Sequence, residues 1–223
     1  MPLIPAHLRR PAALTALVCW VLTAVLGAWY AGQRVAGHVD GAVADAVRRT
    51  IGEQTFTARL LTGPSHPVVI YPVIAFVVGV AVFHRWWARA VLAVAAPALC
   101  VGLTELVFKP LIDRTYTGVL SYPSGHTIST MAALGVAALV ITVDWPMRAR
   151  WAVLWLLVVV WLVLAVGLVG MDYHYFTDTV GGFLLAIGVV LPLAMVADLF
   201  GWPGGPTAAR RRIDRRRRAG PAL

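Results

Sequence analysis

Charged residues, cysteine and lysine are all scarce in this chain of 223 residues. Asp, Glu, Lys and Arg together make up 13% of it, whereas 60% of the residues are hydrophobic. A soluble globular domain averages about 25% charged and about 45–50% apolar residues. The chain is therefore too apolar for a disordered protein or a coiled coil, and it has too few polar side chains to coat a soluble helical bundle.

Cysteine is limited to Cys19 and Cys100, and each lies inside an apolar run. The sequence contains no Cys-x-x-Cys pair and no cluster of His and Cys, so we expect no zinc or other metal site and no cofactor. A disulfide between the two cysteines is the alternative, but we interpret both as free, small hydrophobic side chains.

The formal net charge is +9, and most of the excess lies at the end of the chain. Residues 201–223 carry seven arginines and one aspartate, a net of +6, which leaves +3 for the preceding 200 residues. The run RRRIDRRRR at 210–218 would suggest nucleic-acid binding in a cytosolic protein. Beside a membrane helix it predicts a disordered cytoplasmic tail that attracts anionic lipid headgroups, at about 1 kcal/mol per basic residue, and no nucleic acid.

Long stretches without charge predict the membrane topology. Charged side chains are absent from 11–33, 60–84, 115–143, 151–171 and 179–197, and 90–108 contains Glu105 alone. A membrane helix needs about 20 mostly apolar residues, so we predict an all-α, polytopic membrane domain over 1–200. The six predicted spans are 12–31, 66–84, 88–108, 124–143, 151–170 and 176–199.

The first predicted span follows Arg9 and Arg10, as the apolar core of a signal peptide would. Its apolar stretch is longer than the roughly 7–15 residues of a signal core, so we expect this helix to be retained.

The basic residues also predict the orientation in the membrane. With six spans both termini lie on one side, which receives thirteen arginines, while the other side receives six basic residues. The positive-inside rule then places both termini in the cytoplasm, with outer loops at 32–65, 109–123 and 171–175. Nearly exclusive use of arginine, with many Ala and Val, is typical of GC-rich bacterial genomes, so the predicted location is a bacterial plasma membrane.

The first outer loop contains an amphipathic pattern. Val39, Val43, Val47 and Ile51 recur every four residues, with charged residues on the other faces. This spacing predicts a short helix over 39–51. The helix either lies on the membrane surface or packs on the outer ends of the bundle, and the pattern leaves both arrangements open.

Ionisable groups collect at the outer ends of the predicted spans. Glu105, Lys109 and Arg114 follow the third span, residues 121–126 precede the fourth, and residues 172–178 precede the sixth. Charged side chains at membrane depth are costly and usually serve a function. These segments include His126 and His174. Because all these groups lie near one predicted membrane face, the two histidines and Lys109 can converge.

The fourth predicted span begins with the features of an anion site. Ser124 suits the N-cap of a helix, and Gly125 after it leaves the first backbone N–H groups open. The N-terminus of a helix also carries the positive end of the helix dipole, which favours phosphate. Lys109 and Arg114 would add cationic donors.

Two histidines and a carboxylate could supply the chemistry. His174 and Asp178 are four residues apart and so share one face of a helix. The carboxylate can hold one imidazole nitrogen and leave the other free as a nucleophile. His126, beside the anion site, could protonate a leaving oxygen.

This arrangement resembles the type 2 phosphatidic acid phosphatase superfamily, the membrane lipid phosphate phosphatases. That family has six membrane helices and three outer motifs: Lys-x6-Arg-Pro, Pro-Ser-Gly-His and Ser-Arg-x5-His-x3-Asp. The second motif is complete at 123–126, the third is present as His174 and Asp178, and the first begins with Lys109. The resemblance covers the chain from the third predicted span to the sixth.

Two positions depart from the family pattern. The Arg-Pro of the first motif would fall on 116–117, which are Tyr-Thr here, and Arg114 is the candidate substitute. The Ser-Arg of the third motif would fall on 167–168, which are Gly-Leu, with no arginine nearby. Loss of one charged ligand typically costs about 2.7–4 kcal/mol of transition-state stabilisation. Tyr116, Asp172 and Tyr173 are candidates for accessory site residues, in a pocket whose shape differs from the family pattern because of these two departures.

The resemblance implies a metal-independent hydrolase that acts on a lipid phosphate or diphosphate through a phosphohistidine. Lys109, Arg114, Ser124 and Gly125 would hold the phosphoryl oxygens. His174 would attack phosphorus, Asp178 would fix its tautomer and His126 would protonate the leaving group. Candidate substrates are polyprenyl phosphates and diphosphates, phosphatidic acid and phosphatidylglycerophosphate.

The competing interpretation is a catalytically impaired member that binds lipid phosphate or a membrane partner without hydrolysis. A small transporter that uses Glu105 and Lys109 as a relay is disfavoured, because the polar groups collect at one face rather than at mid-membrane. The sequence predicts no oligomeric state.

Overall fold

A computed structural model describes residues 1–201, and this part of the chain is almost entirely helical. The α-helices are α1 (Arg9–Trp29), α2 (His38–Ile51), α3 (Phe56–Thr62), α4 (Pro67–Phe83), α5 (Trp87–Leu103), α6 (Lys109–Ile112), α7 (Gly125–Ile141), α8 (Met147–Gly170) and α9 (Phe176–Gly201). A π-helical turn, Thr104–Phe108, joins α5 to α6. The predicted all-α class is confirmed, and the predicted basic tail lies outside the described residues.

Five helical segments are long and apolar enough to cross a membrane. They are Ala6–Trp29, Phe56–Phe83, Trp87–Ile112, Met147–Gly170 and Phe176–Phe200. The predicted span over 124–143 corresponds to α7, which is apolar but has 17 residues. This is shorter than the roughly 20 residues that usually span a bilayer, so α7 as a sixth span stays a prediction.

The outward faces of the long helices are apolar. Leu14, Leu17 and Val25 on α1 are more than half exposed, as are Trp155 and Val159 on α8. Apolar surface on this scale is unfavourable in water and is what a helix presents to lipid. The fold is therefore that of a membrane protein.

Helix α7 forms the centre of the bundle and packs against α4, α5, α8 and α9. Small side chains such as Ala132 and Ala133 are buried along it, and small residues let helix backbones approach closely. Gly181 and Gly182 on α9 serve the same purpose, since a Cβ on Gly182 would lie 2.8 Å from the Ser124 carbonyl oxygen. The turn that begins α7 is thus held directly against the first turns of α9.

The two ends of the bundle are distinct. The backbone N–H groups of Leu3 and Ile4 donate to the Asp198 carboxylate at 2.7 and 3.0 Å, which ties the N-terminal segment to the C-terminal end of α9. Phe176, the first residue of α9, lies about 33 Å away along the helix axis, at 1.5 Å per residue. Residues 172–178 therefore lie at the end of the bundle opposite both ends of the described chain.

Helix α2 packs on the end of the bundle that carries residues 172–178, against α8 and α9. Asp40 and Val47 are buried, whereas Val39 is exposed. Gly170 at the end of α8 makes room for it, since a Cβ there would lie 3.2 Å from Ile51 Cδ1. Of the two arrangements that the sequence left open, the structure shows packing on the end of the bundle.

A small antiparallel hairpin, which the sequence did not predict, joins α6 to the turn before α7. It consists of β1 (Thr115–Tyr116) and β2 (Val119–Leu120), with Thr115 opposite Leu120. Thr117 and Gly118 form the turn with φ of 48° and 84°, and positive φ at both central residues is typical of a tight hairpin turn. The hairpin places Tyr116 beside His126 and His174 in the wall of one cavity.

Candidate active site

Seven of the ten predicted site residues line a cavity of about 1060 Å³, whereas Arg114, Ser124 and Asp178 do not. Helices α4 and α5 supply apolar walls that include Ile70, Ile74, Val94 and Val101. Polar side chains come from the π-helical turn, α6, the hairpin, α7 and the loop before α9. They include Glu105, Lys109, Tyr116, His126, Asp172, Tyr173 and His174.

The two histidines are in direct contact. His126 Nδ1 lies 3.3 Å from His174 Nε2, although the residues are 48 positions apart in the sequence. His126 is the second residue of α7 and His174 lies in the loop before α9, so the close packing of these helices brings the rings together. At this distance one nitrogen can donate a proton to the other, which is the capacity that acid–base chemistry requires.

Asp178 lies on the far side of His174 from His126. Its Oδ2 is 3.8 Å from His174 Nδ1, and that nitrogen has no hydrogen-bond partner among the described residues. The same oxygen accepts a hydrogen bond from the Tyr175 N–H at 3.1 Å, which fixes the carboxylate. If the distance between Asp178 Oδ2 and His174 Nδ1 shortened by about 0.6 Å, the two would form a hydrogen bond. Hydrogen bonds between catalytic groups are often long in the absence of substrate.

The start of α7 has the capping geometry that the sequence predicts. Ser124 Oγ accepts a hydrogen bond from the Thr127 N–H at 3.3 Å, and the Ser124 N–H donates to the Asp178 carbonyl at 3.0 Å. Because the Ser124 side chain is fully buried, it does not reach the cavity, and its expected role as a phosphate ligand does not fit this position. Gly125 does line the cavity.

Lys109 lies in the cavity wall and is already paired. Its Nζ lies 2.6 Å from Glu105 Oε1, and 14% of its side chain is exposed. The Glu105 carboxylate also lies in front of α7, 3.2 Å from the position of a Cβ on Gly125. Within residues 1–201, Lys109 is the only Lys or Arg that lines the cavity. A phosphate that binds Lys109 would therefore have to displace Glu105 from the Lys109 ammonium group.

Arg114 does not reach the cavity. Its Nη1 donates to Asp178 Oδ1 and its Nη2 to Asp40 Oδ2, both at 2.6 Å, and its side chain is completely buried. The guanidinium lies between the rings of Tyr30 and Tyr175, at 4.1 and 4.3 Å from their centroids. The expected role of Arg114 as a phosphate ligand therefore does not fit the structure, which places it behind Asp178.

Asp40 is a partner of Arg114 that the sequence did not predict. It is buried on α2, where Oδ1 accepts from the Thr177 N–H and Oδ2 from Thr177 Oγ1, each at 2.9 Å. In the sequence Asp40 is one of several charged residues on an amphipathic helix. Because its importance depends on which element that helix packs against, no local pattern distinguishes it from exposed Asp45.

The accessory candidates form a small network at the rim. Tyr116 donates to Asp172 Oδ1 at 2.8 Å, and Arg48 donates to the same oxygen at 3.1 Å. Burial opposes ionisation of Asp172, but hydrogen bonds that include these two more than offset it, so the pKa of Asp172 falls below its ordinary value. Burial, and to a smaller extent the hydrogen bond to Asp172, raises the pKa of Tyr116 far above its ordinary value. Tyr173 stacks on His126 with ring centroids 5.8 Å apart.

The departure in the third motif coincides with tight packing of α3 on α8. A Cβ on Gly167 would lie 2.8 Å from the backbone of Leu61 and Thr62, so a serine at 167 would clash with α3. Leu168 is fully buried. This part of α8 is thus packed against other helices.

Comparison of the chain with protein-family models, with curated proteins and with solved structures finds no match. The family resemblance therefore rests on the motif residues.

Proposed function

We propose that the protein is a membrane lipid phosphatase, which hydrolyses a lipid phosphate or diphosphate through a phosphohistidine. The observation that carries the proposal is the contact of His126 with His174, with Asp178 behind His174. A nucleophile beside a proton donor, with a third group to orient the nucleophile, is the arrangement that covalent catalysis requires.

In the proposed reaction, Asp178 holds the Nδ1 proton of His174 and leaves Nε2 free. The phosphoryl group of the substrate enters between the two histidines, which are then no longer in direct contact. Nε2 attacks phosphorus and the phosphorus–oxygen bond to the lipid breaks, while His126 gives its proton to the leaving oxygen. Water then attacks the phosphohistidine with His126 as the base, which releases phosphate and restores both histidines.

The phosphoryl oxygens would be held at the start of α7. Gly125 and His126 belong to the first turn, whose N–H groups have no acceptor within the helix. Lys109 supplies the charged donor once it exchanges Glu105 for the phosphoryl group. Charge neutralisation by these groups needs no metal, so activity should persist in EDTA.

The apolar walls favour a lipid as the substrate. The cavity continues from the histidines along residues of α4 and α5, which would accommodate a hydrocarbon tail. Polyprenyl phosphates and diphosphates, phosphatidic acid and phosphatidylglycerophosphate all combine such a tail with a terminal phosphoryl group.

We further propose that α7 is a sixth span in a bacterial plasma membrane, with both termini cytoplasmic and the site facing outward. The site and the ends of the described chain lie at opposite ends of the bundle, which supports this arrangement. The basic run at 210–218 would then contact anionic lipid headgroups on the cytoplasmic surface.

The test is phosphate release from a panel of these lipids by the full-length protein in detergent with EDTA. His174→Ala should lose release by about 10³-fold or more, because the nucleophile is gone. His84→Ala, which changes a histidine between α4 and α5, is the matched control and should retain release. Undiminished release by His174→Ala would overturn the nucleophile assignment.

A second candidate function is binding of lipid phosphate without hydrolysis. It is favoured by the engagement of the nearby cations, because Lys109 in the cavity wall is paired with Glu105, and Arg114 behind Asp178 is held by Asp40 and Asp178. Wild-type protein that binds the lipids but releases no phosphate from any of them would establish this function instead.

A further inference from the structure

Three charged side chains form a buried row behind His174. Asp40 Oδ2 and Asp178 Oδ1 each lie 2.6 Å from a nitrogen of Arg114, and all three side chains have no exposed surface. The guanidinium is covered on both faces by the rings of Tyr30 and Tyr175. Water therefore screens these charges very little.

The row carries one excess negative charge, since two carboxylates share one guanidinium. Uncompensated buried charge is costly, and Asp178 Oδ2 faces His174 Nδ1 at 3.8 Å. The other titratable groups that line the cavity with His174 are Tyr71, Glu105, Lys109, Tyr116, His126, Asp172 and Tyr173, and of these His126 contacts its ring. Among them Lys109 and Glu105 form a neutral pair. Arg48 is shared by Asp172 and Glu53, so that group carries one excess negative charge, but Arg48 and Glu53 are exposed and water screens it.

Arg114 by itself would cancel the charge of Asp178. His174 would then face a neutral ion pair, which stabilises a positive imidazole weakly. Asp40 restores the negative charge by sharing the guanidinium. It also binds the Thr177 N–H and hydroxyl at 2.9 Å, which ties α2 to the turn that carries Asp178.

We propose that Asp40 is a positioning residue of the active site, which holds Arg114 and Asp178 behind His174 and supplies the negative charge that stabilises positive charge on His174. This inference rests on the proposed function. When His174 Nε2 bonds to phosphorus while Nδ1 keeps its proton, the ring becomes a cation. The bond from phosphorus to the leaving oxygen breaks in the same step, and His126 transfers its proton to that oxygen. Helix α2, which lies outside all three motifs, is thereby part of the site.

The direct test is an NMR titration of the histidines in the full-length protein in detergent micelles. Asp40→Asn preserves shape and removes the charge, so the titration midpoint of His174 should fall by about one pH unit, for a charge on the order of 10 Å away at an effective dielectric constant of about 20. Asp45→Asn, at an exposed position of the same helix, is the matched control and should leave the midpoint unchanged.

A double variant separates charge from shape. Asp40→Asn with Arg114→Gln removes one negative and one positive charge, so the row keeps its excess of one negative charge and the midpoint should return toward the wild-type value. A purely structural role predicts no such restoration, because the double variant disrupts more contacts. A midpoint that is the same in wild type and in Asp40→Asn, or that does not return in the double variant, would overturn the proposal.

Turnover provides the catalytic readout. Asp40→Asn should lower kcat about tenfold with KM changed less than about twofold, because the lost interaction acts on the charged intermediate rather than on bound substrate. The acidic limb of the kcat/KM profile should move to lower pH by the same shift as the midpoint. If wild type hydrolyses lipid phosphate and Asp40→Asn is unaffected, this inference fails and the phosphatase function stands. If wild type releases no phosphate, the proposed function fails, and the catalytic role of Asp40 fails with it.

Discussion

Gly182 lies where α9 crosses the turn that begins α7, so Gly182→Ala tests how strongly the site depends on that close approach. A Cβ at this position would lie 2.8 Å from the Ser124 carbonyl oxygen and 3.0 Å from Thr127 Cβ. The Ser124 oxygen belongs to the backbone and cannot rotate away. Restoring ordinary contact at about 3.4 Å requires the helices to separate by about 0.6 Å, and overpacking of this kind typically costs about 1–3 kcal/mol.

The same displacement would act on the proposed chemistry, because His126 is the second residue of α7 and Asp178 is in the first turn of α9. A misplacement of about 1 Å can cost about 100-fold in rate, so we expect Gly182→Ala to lower kcat for lipid phosphate by about tenfold to 100-fold. The assays are phosphate release under substrate saturation and thermal unfolding of the same detergent-solubilised preparation. Unfolding shows whether the protein remains folded at the assay temperature.

Gly135→Ala is the matched control for this prediction. Gly135 lies on α7 and also faces α9, but its Cβ would meet Val190 Cγ1 at 3.9 Å, an ordinary van der Waals distance. We expect this variant to keep wild-type turnover and to unfold at the same temperature or slightly higher, since alanine favours a helix over glycine. If Gly182→Ala matches Gly135→Ala in both assays, the close approach of α9 does not set the geometry of the site.

Two further predictions concern the rim and the cavity. Glu105→Gln should lower KM for a lipid phosphate severalfold with little change in kcat, because Lys109 no longer has to leave a carboxylate, and an unchanged KM would contradict this competition. Asp172 has a pKa below its ordinary value in the folded protein, so its contribution to stability is present above about pH 4 and is lost as the pH falls through the folded value. Asp172→Asn should therefore unfold at a lower temperature than wild type at pH 7, and the difference should narrow as the pH falls below about 4; a difference independent of pH would refute this assignment.

The parts of the fold that the sequence predicted are those that depend on local composition. Charge-free runs identify the long helices, because lipid excludes charged side chains from a span wherever that span packs. The Ser124 cap is likewise local, since a cap is defined within one turn. His174 lies in the loop before α9, so it does not share a helical face with Asp178 as predicted, although the two side chains still face each other. The convergence of these segments at one end of the bundle followed from the expected alternation of the spans.

The role of Arg114 could not be predicted in this way. Its distance from Lys109 in the sequence suggests a ligand in the cavity, but the direction of its side chain depends on where α2 packs. Once α2 brings Asp40 against α9, two carboxylates hold the guanidinium more firmly than an open cavity could. The hairpin at 115–120 was missed for a related reason, because strands of two residues leave no periodicity to detect.

The position of Arg114 changes what the missing arginine at 168 implies. If Arg114 were in the cavity, the loss at 168 would leave two cationic side chains for the phosphoryl group. With Arg114 behind Asp178, Lys109 is the single cationic side chain of the cavity within residues 1–201. In the proposed reaction, stabilisation of the transition state would then depend more on the N–H groups at the start of α7 and on the negative charge behind His174. A phosphatase site with few cations in its wall would need a strongly supported nucleophile, and we propose that the buried row of Asp40, Arg114 and Asp178 provides that support.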